Sequence, residues 1–463
     1  MHKISFLIFV ILCYFPSVGQ KKTNVLVILV DDMAWNDPSY RQQGLYETPN
    51  IDALSKVSYR FDNAYAAASI CSPTRAALLT GNHPARLAIT DWIPGDRAKG
   101  KLIKEPTIEN QLPLEQVTLA EMFKEQGYVT FFAGKWHLGG EGFLPEQQGF
   151  DQNFGGNHTG TPKGGYYSPY LNPQLSDGPE GEYLADRLSN ELLDFIERNK
   201  EEPFFAFLPY YTVHTPIQGN KSHLKYFQEK KTTMSWEESL TISEPGALTR
   251  VNKDNVDYAS MLYAMDVNIG KIIQGLKDLG IYDQTLIVFT SDNGGLSTLT
   301  DGYNRPGPTS VLPLRGGKGW LYEGGIKVPL LIKPAEELSS PKIQSDLILS
   351  QDLFPTILDL AGVESLQNID GVPIDFGPES SRRTAIWYYP HYHGSGWKPG
   401  MSIRESNWKL IYFFEGDSYE LYDLIQDPEE QKNVSSSFPT VTQRLYSKMI
   451  EDLNSKNARW PSR

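Results

Sequence analysis

Two runs of apolar residues that end in polar side chains constrain the fold of this chain more than any other feature. The first, NVLVILVDD, covers residues 24–32, and the second, TLIVFTSDNGG, covers residues 285–295. Unbroken apolar runs rich in Val and Ile are typical of strands that are buried on both faces. Such strands form largely parallel sheets covered by helices on each side. The two runs therefore predict an α/β domain.

Other segments extend this prediction. Further strands are predicted at YVTFFAG, PFFAFLPYY and KVPLLIK, which cover residues 128–134, 203–211 and 327–333. Long amphipathic helices are predicted at residues 183–200 and 257–280. The apolar face of the first helix contains Leu184, Leu188, Leu192, Phe195 and Ile196. The predicted fold class is α/β, with a large, mostly parallel or mixed central sheet flanked by helices.

The C-terminal part of the chain has a different pattern. Residues 402–414 and 418–424 alternate between apolar and polar side chains, which is typical of antiparallel strands, and a polar helical segment follows them. At 463 residues the chain exceeds the roughly 250–300 residues at which one core usually stops growing. We therefore expect an α/β domain at residues 20–375 and a smaller C-terminal antiparallel α+β domain at residues 376–463.

The first residues predict export. Lys3 precedes an apolar run at residues 4–15, and small residues follow at Ser17 and Gly19, as in a secretory signal peptide. We expect removal of residues 1–19 and an exported, soluble protein that is periplasmic or secreted. No later segment reaches the roughly 18 consecutive apolar residues of a spanning helix, so no membrane span is expected.

The charge of the chain bears on its partners. The formal net charge is −13, and it is spread along the chain without long blocks of like charge. This distribution is unfavourable for nucleic acid binding, so no nucleic acid partner is expected. An anionic ligand would have to be bound by a local cluster of cations.

Four polar residues follow the two apolar runs. Asp31 and Asp32 end the first, and Asp292 and Asn293 end the second. Ligands gather at the carboxyl ends of strands in open α/β sheets. Four oxygen donors without a thiolate suit Ca²⁺ or Mg²⁺ better than zinc. Asp and Asn at strand ends are also typical turn residues, so this prediction depends on the other motifs.

Cys71 is the single thiol of the predicted mature chain, because the only other cysteine, Cys13, lies in the signal segment. Its segment, CSPTR, is followed by the helical run AALLTG, and Pro73 suits the first turn of a helix. Cys71 would thus lie at or next to a helix N-terminus, which favours anions, with Arg75 in the same turn.

Three interpretations of Cys71 are open at this point. A lone cysteine is commonly a buried, inert residue. A cysteine nucleophile is the second, and it needs a neighbouring base. A hard metal site is an unusual neighbour for sulfur, however, and this favours an oxygen-bearing derivative of the cysteine.

Several segments resemble the formylglycine-dependent sulfatases. CSPTRAALLTG, residues 71–81, is similar to that family's first signature, and GYVTFFAGKWHLG, residues 127–139, is similar to its second. The resemblance extends over nearly the whole mature chain, through NVLVILVDDMAWND, TPNIDALS, HTP at residues 214–216, SDNGG, GGKGWLYEGGIKVP and ELYDLIQDPEEQKN. One departure is Lys327, where the family commonly has arginine, so a salt bridge there would lose bidentate geometry.

The resemblance implies an alkaline-phosphatase-like fold and a sulfuric ester hydrolase. Cys71 would be oxidised to 3-oxoalanine (formylglycine) by a formylglycine-generating maturation enzyme. One hydroxyl of its hydrate would attack the sulfur atom, and elimination driven by the other would then release sulfate. The metal ligands would be residue 71 with Asp31, Asp32, Asp292 and Asn293, and the metal would be Ca²⁺, with Mg²⁺ as the alternative.

The remaining catalytic roles also follow from the resemblance. Arg75 would steady the formylglycine oxygens, and Lys135 and Lys318 would clamp the sulfate. His137 would be the base at the formylglycine hydroxyl, and His214, helped by Lys318, would protonate the leaving oxygen. In GKWH, an extended backbone would place Lys135 and His137 on the same side of the chain.

The substrate class rests on weaker signals. Export, aromatic loops such as WYYPHYHGSGW and the sulfatase resemblance indicate a sulfated carbohydrate, such as a glycosaminoglycan, mucin or algal glycan fragment. Polar and aromatic residues in predicted loops near the motifs are candidates for sugar contacts, namely Asp91, Trp92, His158, Arg315, His391, His393, Trp397 and Arg404.

Two alternatives belong to other function classes. A phosphonate or phosphodiester hydrolase of the same superfamily is one, since phosphate and sulfate are similar in shape, but the sequence lacks extra His or Asp residues arranged for a second metal. A non-catalytic glycan-binding protein is the other, and such a protein would have no use for the maturation motif around Cys71.

Overall fold

The computed structural model describes residues 21–95, 100–303, 305–377 and 384–463. The predicted signal peptide, residues 1–19, lies outside the described residues. No helix within the described residues is both long and apolar enough to cross a membrane.

Strands are distributed along the whole described chain. They are β1 (Asn24–Val30), β2 (Tyr59–Phe61), β3 (Ala64–Tyr65), β4 (Val129–Ala133), β5 (Gln152–Phe154), β6 (Phe204–Pro209), β7 (Thr241–Glu244), β8 (Ala247–Arg250), β9 (Thr285–Ser291), β10 (Thr298–Leu299), β11 (Leu330–Lys333), β12 (Lys342–Gln344), β13 (Ile348–Leu349), β14 (Thr384–Tyr389), β15 (Gly400–Glu405), β16 (Trp408–Phe413) and β17 (Ser418–Asp423).

Helices alternate with the strands of the first part and close the chain. They are α1 (Pro49–Ser55), α2 (Cys71–Thr80), α3 (Pro84–Leu87), α4 (Leu119–Glu125), α5 (Leu184–Arg198), α6 (Lys221–Thr232), α7 (Val256–Asp278), α8 (Glu323–Ile326), α9 (Leu353–Leu360) and α10 (Pro439–Ser455). The strands predicted for the α/β domain and the helices at α5 and α7 all occur. Their bounds lie within the predicted ranges, except that α7 begins one residue earlier.

The central sheet has eight strands in the order β12-β2-β11-β9-β1-β6-β4-β5. β1 pairs in parallel with both β9 and β6, and β4 and β5 continue the parallel part. β11 runs antiparallel to β9 and to β2, so the sheet is mixed on that side. The predicted α/β class is confirmed.

The position of β1 explains why its apolar run is unbroken. Val25 and Val27 pack into one hydrophobic core, and Leu26 and Ile28 pack into another. Because successive side chains of a strand point to opposite faces of the sheet, a strand covered on both sides needs apolar residues at every position. Residues of α5 and α7 cover one face, and residues of α2, α4 and α9 cover the other. All five residues predicted for the apolar face of α5 are buried.

The C-terminal strands form an antiparallel sheet in the order β14-β15-β16-β17, and α10 packs against one face of it. Its other face packs against Tyr65 and Trp320 of the first part. Residues 402–414, predicted as one strand, form the β15–β16 hairpin instead, because Ser406 adopts φ 55° and the chain turns there. β14 includes part of the aromatic segment WYYPHYHGSGW that we expected to be a loop. The domain boundary between residues 375 and 376 stays a prediction.

Candidate active site

The polar ends of β1 and β9 meet at one edge of the central sheet. The two strands are parallel neighbours, with Val30 opposite Ser291, so the residues that follow them lie side by side. Asp32 has φ 60°, and its backbone N–H donates to Oδ1 of Asp292 at 3.2 Å. The Asn293 side chain donates to Oδ1 of Asp32 at 2.8 Å. The predicted convergence of these residues at the carboxyl edge is present.

Helix α2 brings Cys71 to the same edge. Cys71 is the first residue of the helix, as the position of Pro73 predicts, and it is 2% exposed. Arg75 lies one turn later, and its Nε donates to Oδ2 of Asp292 at 2.9 Å. Its Nη1 donates to the backbone oxygen of Lys135 at 2.5 Å. Arg75 therefore ties the helix to β9 and to the segment after β4.

The segment after β4 supplies Lys135 and His137. It starts at Gly134, whose φ is 130° and where a Cβ atom would lie 1.9 Å from the carbonyl oxygen of Pro209, so only glycine fits. Nζ of Lys135 donates to Oδ2 of Asp31 at 2.7 Å. His137 is not extended as expected, because its φ is 58°. Both side chains nevertheless reach the site.

The hydrogen bonds of His137 define its tautomer. Nε2 lies 2.7 Å from the carbonyl oxygen of Ile93, which can only accept, so Nε2 carries the hydrogen. Nδ1 then presents a lone pair toward Sγ of Cys71, at 3.3 Å. Burial, reinforced by Lys135, holds the pKa of His137 well below its usual value. The ring is therefore a neutral proton acceptor aimed at residue 71.

Lys318 and His214 both contact Asp32. Nζ of Lys318 lies 2.7 Å from Oδ1 of Asp32, and Nε2 of His214 lies 3.8 Å from Oδ2. Nδ1 of His214 donates to the carbonyl oxygen of Thr215 at 2.8 Å. Burial, with Lys318 next to it, holds the pKa of His214 well below its usual value. An acid role would require the imidazolium, which a bound anion favours.

These side chains surround a cavity of about 420 Å³. Cys71, His137, His214 and Lys318 line it directly, while Arg75 and Lys135 lie buried beneath it, at 1% and 0% exposure. A cavity of this size with converging cations and imidazoles is typical of a small-molecule site. Its chemistry suits a compact anion attached to a larger group.

Comparison with known proteins identifies the family. A family model described as Sulfatase matches residues 23–363. The chain belongs to the sulfatase family. A second family model, described as N-sulphoglucosamine sulphohydrolase, C-terminal, matches residues 317–458. The protein is therefore a sulfuric ester hydrolase.

Individual relatives and solved structures are similar to this chain over most of its length. Human arylsulfatase A is 29% identical over 481 residues, which cover 91% of this chain and 86% of the human protein. The crystal structure of Ps i-CgsB in complex with k-i-k-neocarrahexaose has a TM-score of 0.74 and 28% identity, with 94% of this chain and 93% of that chain covered. The phosphonate monoester hydrolase of Agrobacterium radiobacter shares the fold, with a TM-score of 0.66, 19% identity, and 94% and 96% of the two chains covered.

Sulfatases generally use formylglycine and a divalent metal, and the residues of this sulfatase fit a metal. Oδ1 of Asp31 and Oδ1 of Asn293 are buried and accept no hydrogen bond from the described residues. Ligand atoms of Asp31, Asp32 and His214 lie within 4.8 Å of one another. Burial raises the pKa of Asp31 well above its usual value, opposed by Lys135 and reinforced by Asp292. A hard cation would satisfy both oxygens and relieve the repulsion between carboxylates.

Three of the eight predicted sugar contacts line the sulfatase cavity. They are Trp92, His158 and His393. His158 is exposed at the cavity wall, while Trp92 and His393 are half-buried. These three remain candidates for contacts with the sugar.

The other loop residues, Asp91 and His391 with Trp397, do not line the cavity, and we correct their assignment. Asp91 accepts from the Tyr389 hydroxyl at 3.0 Å, and His391 bonds Thr90 at 2.8 Å. Trp397 is 1% exposed in an aromatic core and lies in the wall of a second, adjoining cavity, not in the wall of this one. All three are used inside the fold, which a loop assignment from sequence could not show.

The assignment of Arg315 and Arg404 as sugar contacts is also corrected, because both side chains are used inside the fold. Arg315 lies 3.0 Å from a carboxylate oxygen of Glu244 and also bonds Tyr422 of β17. Arg404 lies in β15 and contacts the Tyr65 hydroxyl. Both connect the C-terminal sheet to the first part of the chain, away from the cavity lining.

Further residues line the catalytic cavity and were not predicted from the sequence. They are Ile70, Ile93, Pro94, Thr159, Gly160, Thr161, Tyr303 and Gly394. Gly160 packs on the His137 ring, since a Cβ atom there would lie 2.5 Å from Cε1 of the imidazole. The only sequence signal was that most of them adjoin a predicted site residue, namely Cys71, Trp92, His158 or His393, and Tyr303 lacks even this signal.

Proposed function

We propose that this sulfatase is exported and removes sulfate from a sulfated carbohydrate, such as a glycosaminoglycan, mucin or algal glycan fragment. The observation that carries the proposal is the cavity at Cys71, where Lys318, His137, His214 and His393 converge. The oligosaccharide bound to the similar protein Ps i-CgsB supports a carbohydrate substrate. Export rests on the predicted signal peptide.

Residue 71 provides the nucleophile in this proposal. Formylglycine, formed from Cys71 by a maturation enzyme, would supply an oxygen nucleophile and a route for releasing sulfate afterwards by elimination. Cys71 fits this modification, since it begins α2 at the cavity wall and Nδ1 of His137 lies 3.3 Å from its sulfur. Because Nε2–H of His137 is held by the Ile93 carbonyl, Nδ1 takes the proton from the nucleophile.

The sulfate would be bound by positive charge from several elements. Lys135 and Lys318 are fixed by Asp31 and Asp32 at 2.7 Å each, so their ammonium groups cost little reorganisation when a sulfate enters. The N-terminus of α2 adds its free N–H groups. The metal held by Asp31, Asp32, Asp292 and Asn293, which we propose to be Ca²⁺ with Mg²⁺ as the alternative, would supply further positive charge beside the sulfate.

His214 would protonate the sugar oxygen that leaves. Its Nδ1–H is held by the Thr215 carbonyl, so Nε2 is the atom that can exchange a proton in the cavity. Lys318 lines the same cavity and can assist. Arg75 holds Asp292 in place and so positions the polar ends of the strands.

Release of free sulfate from a panel of regiochemically defined sulfated mono- and disaccharides tests this proposal. We expect release from a subset of the panel that shares one sulfate position, and none with Cys71→Ala. A phosphonate monoester serves as the probe for the alternative activity. Faster cleavage of the phosphonate than of every sulfated sugar would contradict the proposed substrate class.

A further inference from the structure

A second cavity, of about 630 Å³, adjoins the catalytic cavity. The two share His393 and Gly394 in their walls. Five separate parts of the chain form the second cavity: the segment that starts at Gly100, the β7–β8 turn at Gly246, Thr300 after β10, the loop between β14 and β15, and Glu415 after β16. Both cavities fall in the roughly 300–1,000 Å³ range of ligand sites. A ligand of more than one sugar unit can therefore extend from the catalytic cavity into the second cavity.

Charged residues distinguish the second cavity from the rest of this acidic chain. Lys101, Lys398 and Glu415 are the charged residues among those that line it in the described part of the chain. Nζ of Lys398 lies 2.8 Å from Oε1 of Glu415, and its side chain is still 53% exposed. Glu415 also accepts from the Tyr392 hydroxyl at 2.7 Å. These three lining residues together carry one positive charge, and Glu105, which accepts the backbone N–H of Tyr392 at 2.6 Å, lies beside them.

The two lysines lie close enough to act on one anion. Nζ of Lys101 is 5.2 Å from the centre of the Tyr392 ring. Lys398 and Tyr392 hold the pKa of Glu415 below its usual value through hydrogen bonds, and Lys101 adds to this effect by its charge. Lys398 thus pairs with Glu415, and Lys101 lies over the ring of Tyr392, whose hydroxyl donates to the same carboxylate, next to an exposed leucine, Leu102.

His393 presents a donor between the cavities. The backbone N–H of Ser395 donates to Nδ1 of His393 at 3.2 Å, and the Ser395 hydroxyl lies 2.7 Å from the same atom. Nδ1 is therefore an acceptor, and the hydrogen of the neutral ring is on Nε2. An N–H donor at this position suits a sugar hydroxyl or a glycosidic oxygen.

We propose that the second cavity binds the next sugar unit of a sulfated oligosaccharide, and that Lys101 and Lys398 bind an anionic group, sulfate or carboxylate, on that unit. The inference rests on the proposed function and specifies its substrate as a chain of at least two units with a second charge. The catalytic cavity takes the sugar that loses its sulfate, and His393 bonds the junction between the units.

Four matched compounds test this site, built on the sulfated monosaccharide that the panel identifies. They are its methyl glycoside and three disaccharides whose second unit carries a sulfate, a carboxylate or no charge. We expect kcat/KM to be about tenfold higher for a charged disaccharide than for the uncharged one. The sulfate and carboxylate compounds distinguish the two sources of charge.

Variants then assign the effect to the two lysines. Lys101→Gln combined with Lys398→Gln should reduce kcat/KM on the charged disaccharide by about tenfold, to the level of the uncharged one, and leave the methyl glycoside unchanged. Lys200→Gln, an exposed lysine near the start of β6, is the matched control and should have no effect. Titration calorimetry with Cys71→Ala should show the same loss of binding without turnover.

The outcomes separate this inference from the function on which it rests. Equal rates on all four compounds, or an equal loss on the methyl glycoside in the double variant, would overturn the second sugar site while sulfate release continued. No sulfate release from any compound would overturn the proposed function and this inference together.

Discussion

Two buried clusters of charge in this sulfatase differ in what their charges are used for. The site cluster lies at the cavity and consists of Asp31, Asp32, Asp292, Arg75, Lys135 and Lys318. The α8 cluster joins the first part of the chain to the C-terminal sheet and consists of Glu323, Lys409 and Glu430. In the α8 cluster Nζ of Lys409 lies 3.0 Å from Glu323 and 2.8 Å from Glu430.

The difference lies in what the two clusters face. The site cluster lies at the cavity, which Lys318 lines directly. In the α8 cluster, Glu430 also accepts the backbone N–H of Glu323 at 2.7 Å, and Lys409 and Glu430 are 0% exposed. We infer that the site cluster keeps charge available for a ligand, whereas the α8 cluster holds the two parts of the fold together.

Loss of a proposed metal ligand in the site cluster should have the largest effect on activity. Asp292→Asn should reduce kcat by about 10³- to 10⁵-fold, since a divalent metal supplies several kcal/mol of stabilisation to the transition state. Chelation of the wild type should have the same effect, and Ca²⁺ should restore the wild type alone. Asp194→Asn, on the exposed side of α5, is the control. Ordinary activity in Asp292→Asn would remove the metal assignment.

The choice of leaving group should distinguish the proposed general acid, His214, from the proposed sulfate-binding residue, Lys135. His214→Ala should slow cleavage of a sugar sulfate by about 10²- to 10⁴-fold, the usual contribution of a general acid. A nitrophenyl sulfate needs little protonation, so the variant should keep far more activity on it. Lys135→Ala should slow both substrates alike, because it acts on the sulfate. Equal losses in His214→Ala would assign that histidine to sulfate binding instead.

A substitution in the α8 cluster should lower the stability of the protein and change its turnover little. Lys409→Met removes the ammonium group that two buried carboxylates share, and breaking a buried ion pair typically costs about 3 to 5 kcal/mol. We expect a clear drop in the temperature of thermal unfolding, with kcat per folded molecule changed by less than about tenfold. Lys432→Met, at an exposed lysine, is the control. A large loss of kcat at unchanged unfolding temperature would break the distinction between the clusters.

A smaller effect should appear in the pH dependence of stability. Burial, opposed by Lys409 and reinforced by Glu323, raises the pKa of Glu430 to about 7, above the 4.5 of a free glutamate. The folded state thus holds a proton that the unfolded chain loses, so this contribution is complete below pH 4.5 and is lost as the pH rises to about 7. Over that range it amounts to about 3 kcal/mol.

Glu430→Gln tests this sign. Because glutamine stays neutral, the unfolding temperature of the variant should rise relative to that of the wild type as the pH increases from 4.5 to above 7. The neighbouring exposed residue provides the control Glu429→Gln, for which the difference should stay constant. A difference that stays constant over this range would show that Glu430 is already ionised in the folded protein.

The sequence predicted the features that local pattern determines. The unbroken run of β1 required a strand covered on both faces, and the spacing in α5 required one buried side. Pro73 placed Cys71 at the start of α2. Asp31 and Asp292 were expected to meet because both follow apolar strands, and β1 and β9 are indeed parallel neighbours. Their roles in catalysis and metal binding stay proposals.

Features that depend on distant contacts could not be predicted. Nothing in the sequence next to Arg315 or Arg404 indicates their partners, which lie far away in the chain, Tyr422 and Tyr65 among them. The left-handed backbone of His137 depends on how the segment after β4 packs. Most of the residues that line the catalytic cavity and were not predicted are small. Their position at a cavity follows only from the complete fold.

The central claim is that residue 71 is formylglycine in the active protein. The protein is produced with and without a formylglycine-generating enzyme, and the tryptic peptide of residues 61–75 is examined by mass spectrometry alongside sulfate release from the same sample. We predict that specific activity rises in proportion to the fraction of peptide with an aldehyde in place of the thiol, and that it vanishes when that fraction is zero. Full activity in protein whose Cys71 remains a thiol would contradict the account.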